Sequence, residues 1–360
     1  MNSKYEISTK ENREFLKASC EELLNFGHRF PSPNGGSYYL GDDGTPWKDR
    51  NRETWITCRM AHVYSLGLML GHEGSEELAD AALKGLKGEL HDEKNGGWYA
   101  GVTPEGDIVP NKQCYAHAFV ILAASSALTA GRPGAKELLE EALDVYDQHF
   151  WNEEEGLACD TWNTEFTVLD DYRGLNANMH TVEAFLAAGD VTGDKKYHIR
   201  AGRIIDHVIR WAEDNSWRIP EHFTKEWVAD LDCNRDRPDD PFKPYGATPG
   251  HGIEWARLIT QWALANCGEE KEKLENYLQA AENLYTTAIK DGWDADGAPG
   301  IVYTTDWQGK PVVHDRMHWT LAEAINTSAV LYHVTGREKY AKDYAEFMKY
   351  LDEVVMDHEN

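Results

Sequence analysis

The chain is short of several things at once. Its six cysteines (Cys20, Cys58, Cys114, Cys159, Cys233, Cys267) are scattered, with no CxxC or CxxH spacing. That argues against a disulfide framework or a structural zinc site. No apolar run approaches the length of a membrane-spanning helix. The opening Met1-Asn-Ser-Lys-Tyr-Glu6 holds no apolar signal segment. A reducing cytoplasm is the expected location. Basic residues are few, 36 against 62 acidic ones, for a formal charge of −26. Such a surface repels nucleic acid and anionic membranes. Homo-oligomerisation stays open. There is no Pro/Ser-rich linker and no low-complexity run, so residues 1–360 read as a single domain. GxSxG, the P-loop and GxGxxG before a helix are all missing. So is HExxH, and no two histidines sit four apart on one predicted helix. A catalytic metal or cofactor is therefore not expected.

What the chain does have is helical periodicity from end to end. It predicts eleven helices, at 10–26, 53–70, 75–90, 113–130, 135–150, 175–188, 195–211, 252–265, 271–290, 319–334 and 338–355. Two kinds of connection alternate. One is tight and polar, as in Gly71-His-Glu-Gly-Ser75 and Ala130-Gly-Arg-Pro-Gly134. The other is longer and opens on an acidic turn with an aromatic, as in Asp92-Glu-Lys-Asn-Gly-Gly-Trp-Tyr99. Short loops make antiparallel neighbours, and longer loops gather at one end and carry function. The expected fold is all-α, about six helical hairpins closing into an (α/α)6 barrel, with short β-hairpins in the long loops. Eleven helices is one short of six pairs. Met356-Asp-His-Glu-Asn360 resembles the start of another Asp92-type turn, so the closing C-terminal helix is expected to be absent.

Three histidines lie at helix starts: His180 in Asn176-Ala-Asn-Met-His-Thr-Val-Glu183, His251 in Thr248-Pro-Gly-His-Gly-Ile-Glu-Trp255, and His318 in Asp315-Arg-Met-His-Trp319. Each has a carboxylate three to five residues on: Glu183, Glu254 and Glu323. Those spacings are expected to put histidine and carboxylate on one face. Imidazole titrates near neutrality, and a nearby carboxylate orients it, so the pattern is a candidate acid–base set. Alternatives stay open for each. Asn176 could be an N-cap and His180 a satisfied core histidine. His251 could mark a helix-start turn, its flanking Gly250 and Gly252 otherwise allowing close approach of a ligand. Trp319 offers an aromatic face or fills a core. Arg59 falls on an inner helix, where a cation is costly unless paired or facing a ligand. Tyr115 and His117 open the fourth helix. Trp55, Trp98 and Tyr99 add aromatic surface, and Glu221-His222 in a loop is ambiguous.

Taken together, Trp55-x3-Arg59-Met-x-His62, Tyr115-x-His117-Ala-Phe119, Tyr172–Glu183 and Tyr245–Trp255 resemble the N-acylglucosamine 2-epimerase superfamily. They are most similar to its aldose–ketose isomerases acting on mannose or sulfoquinovose. The resemblance runs from about residue 25 to the end. It implies an (α/α)6 barrel, a monosaccharide substrate, and cofactor-free, metal-free proton transfer through a cis-enediol. It implies that His251 is an acid/base, with Glu254 beside it. His180 and Asn176 would contact the sugar near C1 to C3. Arg59 and Tyr115 would bind hydroxyls and stabilise the enediolate, with Trp55, His318, Trp319 and Glu323 completing the pocket. It also implies a further catalytic histidine before the last helix, a place beyond Asn360. A 2-epimerase and a catalytically inactive sugar-binding protein are the alternatives. A glycoside hydrolase would need paired carboxylates, and Asp170-Asp171 is the only adjacent pair near a motif.

Overall fold

The computed structural model describes residues 3–358. Among them are eleven α-helices: α1 (Lys10–Gly27), α2 (Thr54–Met69), α3 (Ser75–Leu86), α4 (Cys114–Thr129), α5 (Ala135–His149), α6 (Leu175–Thr192), α7 (Lys195–Asp214), α8 (Pro249–Cys267), α9 (Lys271–Gly292), α10 (His318–Thr335) and α11 (Glu338–Tyr350). Every helix the periodicity predicts is present. Several boundaries move, with α6 running on to Thr192 and α7 to Asp214. Helix α3 ends four residues early, where Gly88 follows its cap. Helix α8 starts at Pro249, whose fixed φ suits a first helical position, so His251 lies inside the first turn. Helix α11 passes into a single π-helical turn at Leu351–Val355. The turn expected at the chain end falls partly on Glu359 and Asn360, outside the described residues.

The chain divides into two compact units. One is Ala18–Arg203, and the other combines the segment up to Lys17 with Ile204 onward.

In the Ala18–Arg203 unit, α2 pairs with α3 and α4 with α5, while α4 packs against α2 and α6. The two helices of a pair differ in kind. Helix α4 is buried without a break from Ala116 to Ala127, whereas α5 buries only Leu138, Leu139, Ala142, Leu143, Val145 and Tyr146 after its first residue. That is an inner helix and an amphipathic cover. Both tight loops carry paired glycines at left-handed φ, Gly71 with Gly74 and Gly131 with Gly134, a conformation open to glycine at little cost. Short antiparallel strands order the longer connections. Gly101–Val102 pairs with both Arg52–Glu53 and Ile108–Val109, and Lys112–Gln113 pairs with Thr161–Trp162.

The turn at Asp92 is built around a fully buried ion pair, Lys112 Nζ to Asp92 Oδ2 at 2.9 Å. Asp92 also accepts from the backbone N–H of Lys94 at 3.0 Å and of Asn95 at 3.1 Å, and from the Asn95 side chain at 2.9 Å. Burial pushes this carboxyl up, but the bonds from Asn95 and Lys112 outweigh it and hold it well below the carboxylate range. Trp98 is not aromatic surface. It is fully buried, and its Nε1 donates to the Leu86 carbonyl at 2.7 Å. His117 beside it is structural as well. Its Nδ1 donates to the Gln113 carbonyl at 2.7 Å, and its Nε2 accepts from the Trp98 N–H at 3.1 Å. Burial pushes it down to about 3, so it stays neutral.

In the other unit, α8 pairs with α9, α10 with α11, and α8 packs against α10. Thr305, in the hairpin of Thr304–Thr305 with Pro311–Val313, also bridges to Ala247 and so anchors the approach to α8. The N-terminal segment is tied across α11 and the turn after it. Tyr5 Oη donates to Asp352 at 2.6 Å, Lys4 Nζ donates to the same oxygen at 2.8 Å, and Tyr344 Oη donates to Asn12 at 2.9 Å. Beneath these bonds Tyr5, Ile7 and Phe15 pack on Tyr344, Met348 and Leu351.

Candidate active site

Each unit carries one cluster of the residues singled out from the sequence. His251 lies in the first turn of α8. Its Nδ1–H donates to Oε1 of Glu221 at 2.9 Å, and Glu221 is itself buried. That bond fixes the tautomer and leaves Nε2 to give or take a proton. Three influences compete over its charge. Burial disfavours the imidazolium, as does the positive end of the α8 dipole. The carboxylates of Glu221, Glu254 and Glu323 favour it and win, holding His251 above the ordinary imidazole range. The Trp319 ring, from the start of α10, lies over the imidazole with centroids 5.3 Å apart and planes tilted by 33°. Gly250 permits this packing. A Cβ there would come within 2.6 Å of the Trp319 ring and 2.7 Å of Thr320.

The carboxylate bound to His251 is thus Glu221, from a loop thirty residues upstream, rather than Glu254. Glu254 is buried one turn further along α8 and lies 3.7 Å from the Arg257 guanidinium. Glu323 does not serve His318. Five residues advance a helix by about 500°, leaving the two roughly 140° apart around the axis. Glu323 instead takes a bidentate bond from Arg257, at 2.8 Å from Nε and 3.1 Å from Nη2. His318 is exposed at the first position of α10.

In the Ala18–Arg203 unit, the Arg59 guanidinium lies 4.5 Å from the Phe119 ring centre and 5.5 Å from that of Trp55. Its Nη2 donates to Tyr115 Oη at 3.3 Å. The guanidinium is exposed, so no buried ion pair is needed to hold it. Trp55 donates from Nε1 to Glu53 at 2.7 Å, and Glu53 also accepts from Tyr39 Oη. His180 packs edge-on to Tyr115 at 5.1 Å and tilts against Phe119 at 4.7 Å. Its Nδ1 meets Glu183 Oε2 at 3.3 Å. The structural asparagine of this motif is Asn178, which bonds the backbone of Ala158 and Gly174. Asn176 is half-buried in the first turn of α6, whose N-cap is Gly174.

A cation stacked on aromatics beside hydroxyl and amide groups suits a polyol, and a carboxylate-held histidine suits proton transfer. The class follows from comparison with known proteins. The chain belongs to the N-acylglucosamine 2-epimerase (GlcNAc 2-epimerase) family, which it matches over residues 35–360. Within that family its relatives include proteins named D-mannose isomerase. It is 42% identical to one from Thermobifida fusca over 335 residues, 92% of this chain and 81% of that one. It is 39% identical to one from Pseudomonas cannabina pv. alisalensis, over 98% of this chain and 85% of that one. The solved crystal structure of a D-mannose isomerase matches with a TM-score of 0.89 at 29% identity, covering 98% of this chain and 89% of that one. The fold is thus of the (α/α)6-barrel class expected from the hairpin pattern.

Of the His251 cluster, the sequence reading misses Arg257 and leaves Glu221 ambiguous. Glu221 had no spacing to betray it, being in an irregular loop. Arg257 did leave a signal: a charge three residues past Glu254 in a helix otherwise poor in charge.

Proposed function

We propose that this chain is an aldose–ketose isomerase that interconverts D-mannose and D-fructose. The observation that carries the reading is the buried Glu221–His251 pair at the start of α8, in a chain whose relatives are named for that reaction. The reaction needs only proton movements. A base takes the C2 proton of the open aldose while the C1 carbonyl oxygen is protonated, giving a cis-enediol. The proton then returns to C1 as O2–H is released, and the C2 carbonyl forms. His251 acts as acid/base in ring opening and proton transfer, with Glu221 orienting it and Glu254 nearby. Arg59, Tyr115, Trp55, Asn176 and His180 bind hydroxyls and the enediolate, and Trp319 gives an apolar wall for sugar C–H bonds. Glu323 and His318 are assigned to substrate binding as well. No metal enters this scheme. The whole chain is proposed to act as one catalytic domain in the cytoplasm, consistent with six unpaired cysteines.

Incubation with mannose in deuterated water tests the reading. Deuterium at C1 of fructose is the expected product. Deuterium at C2 of glucose would make the chain a 2-epimerase, and no exchange would make it a sugar-binding protein. Running sulfoquinovose in parallel shows whether the C6 group is discriminated. Exhaustive chelation leaves the rate unchanged. A loss restored by zinc or manganese would overturn the metal-free scheme.

A further inference from the structure

Helix α8 carries a buried cation that the proposed chemistry does not use. Arg257 is 6% exposed. It makes the bidentate bond to Glu323 of α10, lies 3.7 Å from Glu254, and reaches Gln261 Oε1 at 3.3 Å. A guanidinium held this way is costly to bury unless its charge is needed. Its position supplies the need. It sits on the two carboxylates whose charges, with that of Glu221, act on His251.

We propose that Arg257 is a positioning residue for His251. By clamping Glu323 and lying against Glu254, it cancels part of the negative field on the imidazole and fixes where those carboxylates stand. The inference rests on the reading of His251 as acid/base.

The charge count shows the effect. Glu221, Glu254 and Glu323 together place three negative charges by His251, and Arg257 returns one positive. The buried acids of α9 and the histidine beside Glu221 are engaged elsewhere. On α9, Glu282 bonds Arg337 and Tyr340, and Asp291 bonds Arg218 at 2.8 Å. His222, next to Glu221, meets the Pro244 carbonyl from Nε2 at 2.8 Å. His318 at the start of α10 is exposed. Arg257 is the buried cation ion-paired with two of the carboxylates that act on His251. Removing it stabilises the imidazolium and raises the pH at which His251 becomes a free base. Removing the Glu323 charge does the reverse. The expected displacement is about one pH unit either way, the scale of a neighbouring charge at this depth.

The test uses the full chain and two readouts, the titration of the His251 ring followed by NMR and the pH profile of kcat/KM. In Arg257→Gln both move to higher pH, and below the new limb kcat/KM falls about tenfold. In Glu323→Gln both move to lower pH. Arg257→Lys restores the charge without the planar fork, so the titration returns towards wild type while KM stays raised. Opposite displacements in the two variants support the proposal. An unmoved His251 titration in Glu323→Gln overturns it, and that variant carries the test alone if Arg257→Gln does not fold. A displaced titration with an unmoved kinetic limb keeps Arg257 in its role and removes His251 from the chemistry.

Discussion

Replacing His251 with alanine lowers kcat by about 10²–10⁴-fold, the range of a lost general acid–base group. The variant keeps its helical content, because the ring contributes one bond and one aromatic contact at the edge of α8. One side effect has to be separated. Glu221 is left buried without its donor, which costs roughly 1–3 kcal/mol. The double variant His251→Ala/Glu221→Gln removes that cost and is expected to melt higher than the single one while staying equally inactive. Glu221→Gln alone keeps an acceptor for Nδ1–H but removes the charge. It should retain measurable turnover, with the kinetic limb moved to lower pH. A loss smaller than tenfold in His251→Ala would take His251 out of the mechanism.

The largest effect on stability is expected at the Asp92 turn. Lys112→Met leaves a fully buried carboxylate without its cation, and breaking such a pair costs about 3–5 kcal/mol. Urea unfolding of the variant measures it directly. The double variant Asp92→Asn/Lys112→Met recovers most of the loss, since two neutral groups replace two charges and the new amide oxygen still accepts from the turn. The pH dependence has a definite sign. Asp92 is held below the ordinary carboxyl range, so its contribution is complete at neutral pH. It is lost as pH falls below about 4, the unfolded carboxyl value. The advantage of wild type over Asp92→Asn should therefore shrink in acid. A gap that widened there would contradict the assignment.

The helices were legible because each buries a stripe or a whole surface of apolar residues, and that periodicity is written locally. The hairpin pattern followed from the alternation of Gly-x-x-Gly loops and acidic turns. The site was legible only in part. His251 and Trp319 were marked by their neighbours in sequence, but the partner of His251 lies thirty residues away in a loop with no period. The rule pairing each histidine with the next carboxylate along its helix held for His180 and Glu183. It failed for His251 because a loop carboxylate had better reach. It failed for His318 because five residues carry a side chain round to another face. His117 looked the equal of the other histidines in sequence. Only its two backbone partners, one supplied by the Asp92 turn region, show it to be part of the frame.

The tie between the first described residues and Asp352 bears on how the chain comes off the ribosome. Tyr5 and Asp352 are separated by 347 positions. The segment up to Lys17 emerges long before α11 and must wait for it before its apolar side chains have anything to cover. At about 5–20 residues per second that wait is tens of seconds. The Ala18–Arg203 stretch is contiguous and can complete its own contacts in the meantime. Vectorial synthesis thus leaves Tyr5, Ile7 and Phe15 uncovered for the whole of that interval. The neighbouring Lys4, Glu6, Lys10 and Glu11 keep the waiting stretch charged.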